Sequence, residues 1–168
     1  IQGNDIGIKQ QAEHFYLTNT VIWGNRIGAD LGKANHFNWH NAVIAHNSEV
    51  GILSSLSGAG SFQNGFIGCS FIDNPKCFNG QSQRFRFVGC RFIDSDFGLY
   101  NINSFTIVTG CEFHNLGVAI TMDTVSISSN HVITNNTFSA NDEDILLYGD
   151  NHMINDNMFS TTLKQPIK

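Results

Sequence analysis

The chain has 168 residues, a formal net charge of −5 and a charged fraction of only 14%. That balance excludes a nucleic-acid partner, which would need clustered Lys and Arg, and makes neutral or basic polymers the better fit. No apolar run approaches membrane-spanning length, so no membrane partner is expected, and no shift in composition marks a second domain within residues 1–168.

Fourteen Phe and sixteen Gly against two Pro, among many Asn, Ser and Thr, describe a β-rich chain with tight polar turns and aromatic residues stacked inside. The start, Ile1-Gln2-Gly3-Asn4, has no charged segment leading into an apolar one and enters the pattern almost at once, so the chain reads as part of a longer one. From there a unit recurs. An Asn or Cys followed two residues later by an apolar residue appears as Asn19/Val21, Asn41/Val43, Cys69/Phe71, Cys90/Phe92, Cys111/Phe113, Asn136/Phe138 and Asn157/Phe159. The spacings of 22, 28, 21, 21, 25 and 21 residues are those of a solenoid.

Within each unit the apolar residues alternate at two rather than recurring at three and four, so the unit is built from strands. A first strand of apolar-small-apolar form is read at Ile6-Gly7-Ile8, Ile27-Gly28-Ala29, Val50-Gly51-Ile52, Phe97-Gly98-Leu99 and Val118-Ala119-Ile120, with poorer copies at Lys76-Cys77-Phe78 and Glu143-Asp144-Ile145. Alternation is expected to send the apolar pair inward and the small residue outward. A second strand follows at Phe85-Arg86-Phe87-Val88, Phe105-Thr106-Ile107-Val108 and Val132-Ile133. The chain then bends at the marker, where Asn tolerates a left-handed backbone and can bond its amide to the copies above and below. A short third strand, as in Phe71-Ile72 and Phe92-Ile93, closes the turn. Three short parallel sheets make the expected fold an all-β, right-handed, single-stranded parallel β-helix of about seven coils. Strand spacing gives it a length on the order of 30 Å.

Insertions into a solenoid become loops on one side. The two long units carry them at residues 54–61 and 122–130, both between first and second strands, where they could serve recognition or simply be tolerated. Neither end shows a cap, which suggests further β-helix or partner subunits beyond them. Cys69, Cys90 and Cys111 share the marker position, so they are expected to stack as free buried thiols rather than form disulfides, in a chain that folds in a reducing cytoplasm.

The segments Val132-Ile133-Thr134-Asn135-Asn136-Thr137-Phe138 and Met153-Ile154-Asn155-Asp156-Asn157-Met158-Phe159 resemble the repeat of the pectate-lyase-like parallel β-helix superfamily, and the likeness covers nearly the whole chain. Pectate lyases, polygalacturonases, alginate epimerases and bacteriophage tailspikes share this fold, so the resemblance alone does not choose among their activities. The Arg that serves pectate lyases as base on the first sheet has no counterpart among Arg26, Arg84, Arg86 and Arg91, and the Asp-Pro-His tetrapeptide of epimerases is missing. Tailspikes and tail fibres are the nearer likeness. What that implies is a homotrimer of parallel rods on a virion tail, made in the host cytoplasm, that binds and in some cases hydrolyses a bacterial surface polysaccharide. The other readings are a non-catalytic trimeric shaft and a secreted lyase or epimerase.

Glycoside hydrolysis on this fold needs two outward carboxylates, about 5 Å apart for a retaining mechanism. Asp73 and Asp94 each lie four residues past a marker Cys, so they should stack in adjacent coils as acid and nucleophile; each also reads as a turn residue bonding local backbone. Glu143 and Asp144, with Asp142, form a second acidic set that could meet Asp123 one coil back, and Glu143 stands where other copies have an apolar residue. Trp23, Tyr100 and Tyr148 are expected outside as platforms for sugar rings, with Asn79 beside them as a polar contact, while Trp39 could face inward. Asp30 and Lys9 read as a solvated pair on the outer face. His14, His36, His131 and His152 align five residues before the marker, but a third zinc ligand is missing, so no metal or other cofactor is expected.

Overall fold

The computed structural model describes residues 1–10, 14–32, 36–54, 64–80, 84–122 and 130–160. Among them there is no helix. Every strand pairs in parallel with the strand one repeat away, and the chain winds into a β-solenoid of about six turns. Seven second strands, from His14–Thr18 to Met153–Asn155, form one continuous sheet, so seven rungs enclose those six turns.

The first-strand alignment holds throughout. Ile6 pairs with Ile27 and Ile27 with Val50; Phe78 pairs with Ile52 and Leu99; Phe97 pairs with Val118, and Val118 with Glu143. The facing matches the expectation only in part: the last apolar residue (Ile52, Phe78, Leu99, Ile120) is buried in the core as expected, but the small middle residue faces inward with it. A Cβ on Gly28 would lie 2.4 Å from the carbonyl oxygen of Gly51 and 3.0 Å from the amide of buried Asn47, and one on Gly98 would meet Leu116 and Phe113. Glycine recurs where the next rung's carbonyl leaves no room for a Cβ, at Gly28, Gly51 and Gly98, while Cys77 and Ala119 fit a small side chain on other rungs of the column. The residue before it lies on the outer side, where Phe97 and Val118 are half-buried. The same column is buried at Ile27 and Val50 on the early rungs, but opens to half-buried Phe97 and Val118 and then to exposed Glu143.

The marker register shifts by one residue in the first two units. Ile22 and Ile44, not Val21 and Val43, stack beneath Phe71, and the step from Ile44 to Phe71 is 27 residues rather than 28. Asn19 and Asn41 occupy the preceding corner, with φ of 48° and 52°, in the column that elsewhere holds Gly68, Gly89, Gly110, Asn135 and Asp156, all left-handed. The left-handed bend is thus one residue before the marker, and the marker side chain points inward. The Phe105 copy of the second strand also starts late, at Ile107, because Phe105 is itself left-handed.

Hydrogen bonding joins what the sequence divides into three sheets into two. Arg91–Ile102 and Glu112–Met122 each run continuously from third strand into the following first strand, turning at left-handed Asp94 and Asn115. The long extensions at residues 55–63 and 123–129 lie outside the described residues.

The interior is a set of columns. Phe71, Phe92, Phe113, Phe138 and Phe159 stack nearly parallel, with ring centroids 4.8, 4.7, 4.9 and 5.0 Å apart. Stacking at one rung per ring adds aromatic attraction to the burial of these side chains. Trp39 faces inward and is fully buried. Cys69, Cys90 and Cys111 are free and buried in one column, and their sulfurs donate to the carbonyls of Trp39, Phe66 and Phe87 at 3.4, 3.2 and 3.5 Å. Asn136 continues that column, its Oδ1 accepting from the Cys111 amide at 2.8 Å and its own amides reaching Asn157.

Candidate functional site

The corner between third and first strands repeats one local design. A left-handed residue points outward and the next residue turns inward into a polar ladder. The inward column runs Asn4, Asn25, Asn47, Asn74 and Ser95, each backbone N–H donating to the side-chain oxygen of the next member at 3.0 to 3.1 Å. Asn141 repeats the bond further on, accepting from Leu116 N at 3.0 Å. This ladder satisfies the buried amides that a corner would otherwise strand.

The outward column runs Gly24, His46, Asp73, Asp94, Asn115 and Ala140, with φ between 50° and 63°. Left-handed backbone favours Gly, Asn and Asp and admits His, so the conformation accounts for most of these identities, and the outward direction leaves their side chains free for other work. Asp73 and Asp94 occupy adjacent rungs, as their spacing from the markers predicts, with a backbone separation of about 4.8 Å. Each has a partner on its far side: His46 Nδ1 lies 2.7 Å from Asp73 Oδ2, and Asn115 Nδ2 donates to Asp94 Oδ1 at 2.7 Å. The two aspartates, with Asn74, Pro75, Ser95 and Asp96, line a shallow open depression.

One rung below His46 stands Trp23, half-exposed, its ring 5.6 Å from the imidazole of His46. Gln2, Gly3 and Gly24 form a second depression beside it. Trp23, His46, Asp73, Asp94 and Asn115 therefore form a continuous exposed strip parallel to the solenoid axis. It joins an aromatic face to a line of hydrogen-bonding groups, and no described residue encloses it.

The remaining expected residues lie elsewhere. Tyr100 and Asn79 are neighbours in register on the outer face of the first sheet; Lys76 Nζ sits 4.6 Å over the Tyr100 ring and Phe97 meets its edge at 4.7 Å. Tyr148 is exposed on a later rung. Glu143 is two rungs above Phe97, away from Asp73, and Asp144 accepts from the ladder amide of Asn141 at 2.9 Å, which gives it a structural duty. Asp123 lies outside the described residues. Asp30 and Lys9 are adjacent in register, but the Asp30 carboxylate accepts from Gly32 N at 2.9 Å.

The four histidines do not share a column. His14 pairs with His36, ring centroids 4.8 Å apart, while His131 and His152 stack at 5.1 Å one position later in the strand, in the column of Phe85 and Thr106. The same one-residue slip that misplaces the early markers produces the apparent alignment. Among the described residues, no group of three or more His, Cys, Asp or Glu could hold a metal ion.

His46 is the site residue that the sequence pattern misses. Counted from Asn41, the position equivalent to Asp73 is Ala45; counted from Ala42, the marker in the true register, it is His46. The left-handed preference of Asn41 was the available signal, since it places Asn41 before the marker rather than on it. No protein-family model, no curated protein and no solved structure matches the chain.

Proposed function

We propose that the chain is a polysaccharide-binding β-solenoid that takes a glycan along the strip from Trp23 to Asn115. The observation that carries this reading is the alignment of an exposed Trp ring with His46, Asp73, Asp94 and Asn115 on successive rungs of one corner. A sugar offers an apolar face that stacks on an indole and hydroxyls that bond carboxylates and amides, and this strip supplies both. Binding to immobilised bacterial capsular and O-antigen polysaccharides tests it, with Trp23→Ala as the diagnostic variant. Loss of binding in that variant, with an unchanged unfolding transition, supports the reading; retention of full binding would remove the strip from consideration.

Hydrolysis by the same strip is the second reading, and it rests on the adjacent-rung placement of Asp73 and Asp94, close to the spacing of a retaining acid and nucleophile. New reducing ends that vanish in Asp73→Asn and Asp94→Asn would establish it. Asn keeps the left-handed corner at both positions, so the variants change chemistry more than backbone. A place on a phage tail, and a homotrimer of parallel rods, belong to this proposal; sedimentation of the chain in solution measures the second. A chain that binds no glycan and still trimerises would instead be a structural shaft.

A further inference from the structure

The strip that carries Trp23 and His46 is also where negative charge collects. Asp73 and Asp94 stand exposed in the outward column. Two residues on, across the inward ladder, a second outer column holds Asp5, Arg26, Glu49, Asp96 and Asp142, all exposed. Arg26 is spent within this column, and the other cations nearby are committed elsewhere. Arg26 bridges Asp5, at 2.6 Å, and Glu49; Arg91 pairs with Glu112 at 2.9 Å on the third-strand face; Lys76 lies over the Tyr100 ring on the first-strand face.

We infer that the glycan taken by this corner is uncharged or carries protonated amino groups, and that uronate-bearing and other acidic glycans are turned away. The inference rests on the glycan-binding reading of the same strip. Ionised carboxylates only accept hydrogen bonds, so they suit hydroxyl and ammonium donors, and the ammonium bonds are the stronger for being charge-assisted. A uronate brought to the strip faces like charge with no free guanidinium to receive it. In water, one carboxylate facing a ligand charge at about 4 Å changes affinity about fivefold, and about threefold once physiological salt screens it. With Asp94 and Asp96 both facing the depression, discrimination between an amine and a carboxylate at that point is compounded.

The test is binding of the full chain to bacterial surface polysaccharides grouped as neutral, amino-bearing and uronate-bearing, at low and at physiological salt. It is repeated with the Asp94→Asn/Asp96→Asn double variant. The expected binders are neutral or amino-bearing; an amino-bearing one weakens with salt and loses about 25-fold in the double variant at low salt, or about tenfold at physiological salt, whereas a neutral one is insensitive to salt. Preferential binding of a uronate-bearing polysaccharide that is still lost in Trp23→Ala overturns this inference and leaves the glycan reading standing. Failure of every group to bind overturns both. The selectivity of the wild-type chain is decisive alone, so the result does not depend on the double variant folding.

Discussion

Lowering the pH from 7 to 5 weakens this fold through His131. It is fully buried, and its ring lies against that of His152 with centroids 5.1 Å apart. Burial first, and the neighbouring His152 second, push the His131 pKa down from 6.5 to about 4. The unfolded chain keeps the ordinary value, so between these two pH values it binds more protons than the folded chain does. Stability is therefore full above about pH 6.5 and falls as the pH drops towards 4. Single-site linkage with these values gives a loss of about 2 kcal/mol between pH 7 and pH 5, rising to about 3 kcal/mol at pH 4. The control is His131→Phe, because Phe85 already occupies the same interior column. Urea unfolding at pH 7, 6 and 5 should show the wild type losing about 2 kcal/mol more than the variant. Parallel loss in both proteins would show that carboxylate titration dominates and that His131 contributes nothing.

Gly28→Ala should destabilise by about 1–3 kcal/mol, since its Cβ would lie 2.4 Å from a backbone oxygen of the next rung. Gly89→Ala, where a Cβ meets nothing within 4 Å, carries only the strain of its left-handed backbone; equal urea midpoints for the two variants would refute the close-approach argument. Asn47→Ala strands the buried Asn25 amide, bonded at 3.1 Å to Asn47 Oδ1, and should cost about 1–3 kcal/mol for that group alone. Asn4→Ala, at the exposed end of the same ladder, should cost distinctly less, and a chemical-denaturation comparison of the two decides whether burial sets the energy. Burial holds the Cys77 thiol up at about 12. All four thiols are buried, so packing should shield them from an alkylating reagent at neutral pH until the chain unfolds, and rapid labelling of any of them in the native protein, followed by mass spectrometry, would contradict that packing.

The first-strand alignment was legible because its signal is compositional: a small residue suits a neighbour's close carbonyl, and it recurs between apolar residues on five of the seven rungs. Its facing was legible only in part. Strict alternation assumes a flat strand, whereas Gly98 and Leu99 are both buried, so the chain turns between them. The marker register failed where one residue type serves two purposes. Asn136 is chosen for its inward amide, Asn19 and Asn41 for their left-handed backbone, and a sequence shows the same letter for both. That ambiguity concealed His46 and aligned four histidines that form two separate pairs. The second ladder, Asn25, Asn47 and Asn74, went unread because its spacing straddles the insertion at residues 54–61, while Asp94 and Asn115 look like strand ends although the strands run through them.

The corner design separates what the fold requires from what recognition can change. One residue points in and must supply an acceptor for the rung below, which fixes it as Asn or Ser over most of the column. The residue before it must only adopt left-handed φ, and its side chain faces solvent, so Gly24, His46, Asp73, Asp94 and Asn115 are all compatible with one backbone. Asp73 and Asp94 thus have a conformational reason to be where they are, and their carboxylates are not by themselves a sign of catalysis. His46 has less of one: among residues suited to this backbone it is the bulkiest, and it is set between the Trp23 ring and the Asp73 carboxylate. A solenoid that needed only a corner there would be served by Gly or Asn. His46→Asn keeps the backbone preference and removes the imidazole from between its two neighbours. If the strip binds glycan, that variant should lose affinity while its urea midpoint stays within the small range expected of exposed surface changes. Unchanged affinity together with a lowered midpoint would assign His46 to stability and detach the aromatic end of the strip from the acidic end.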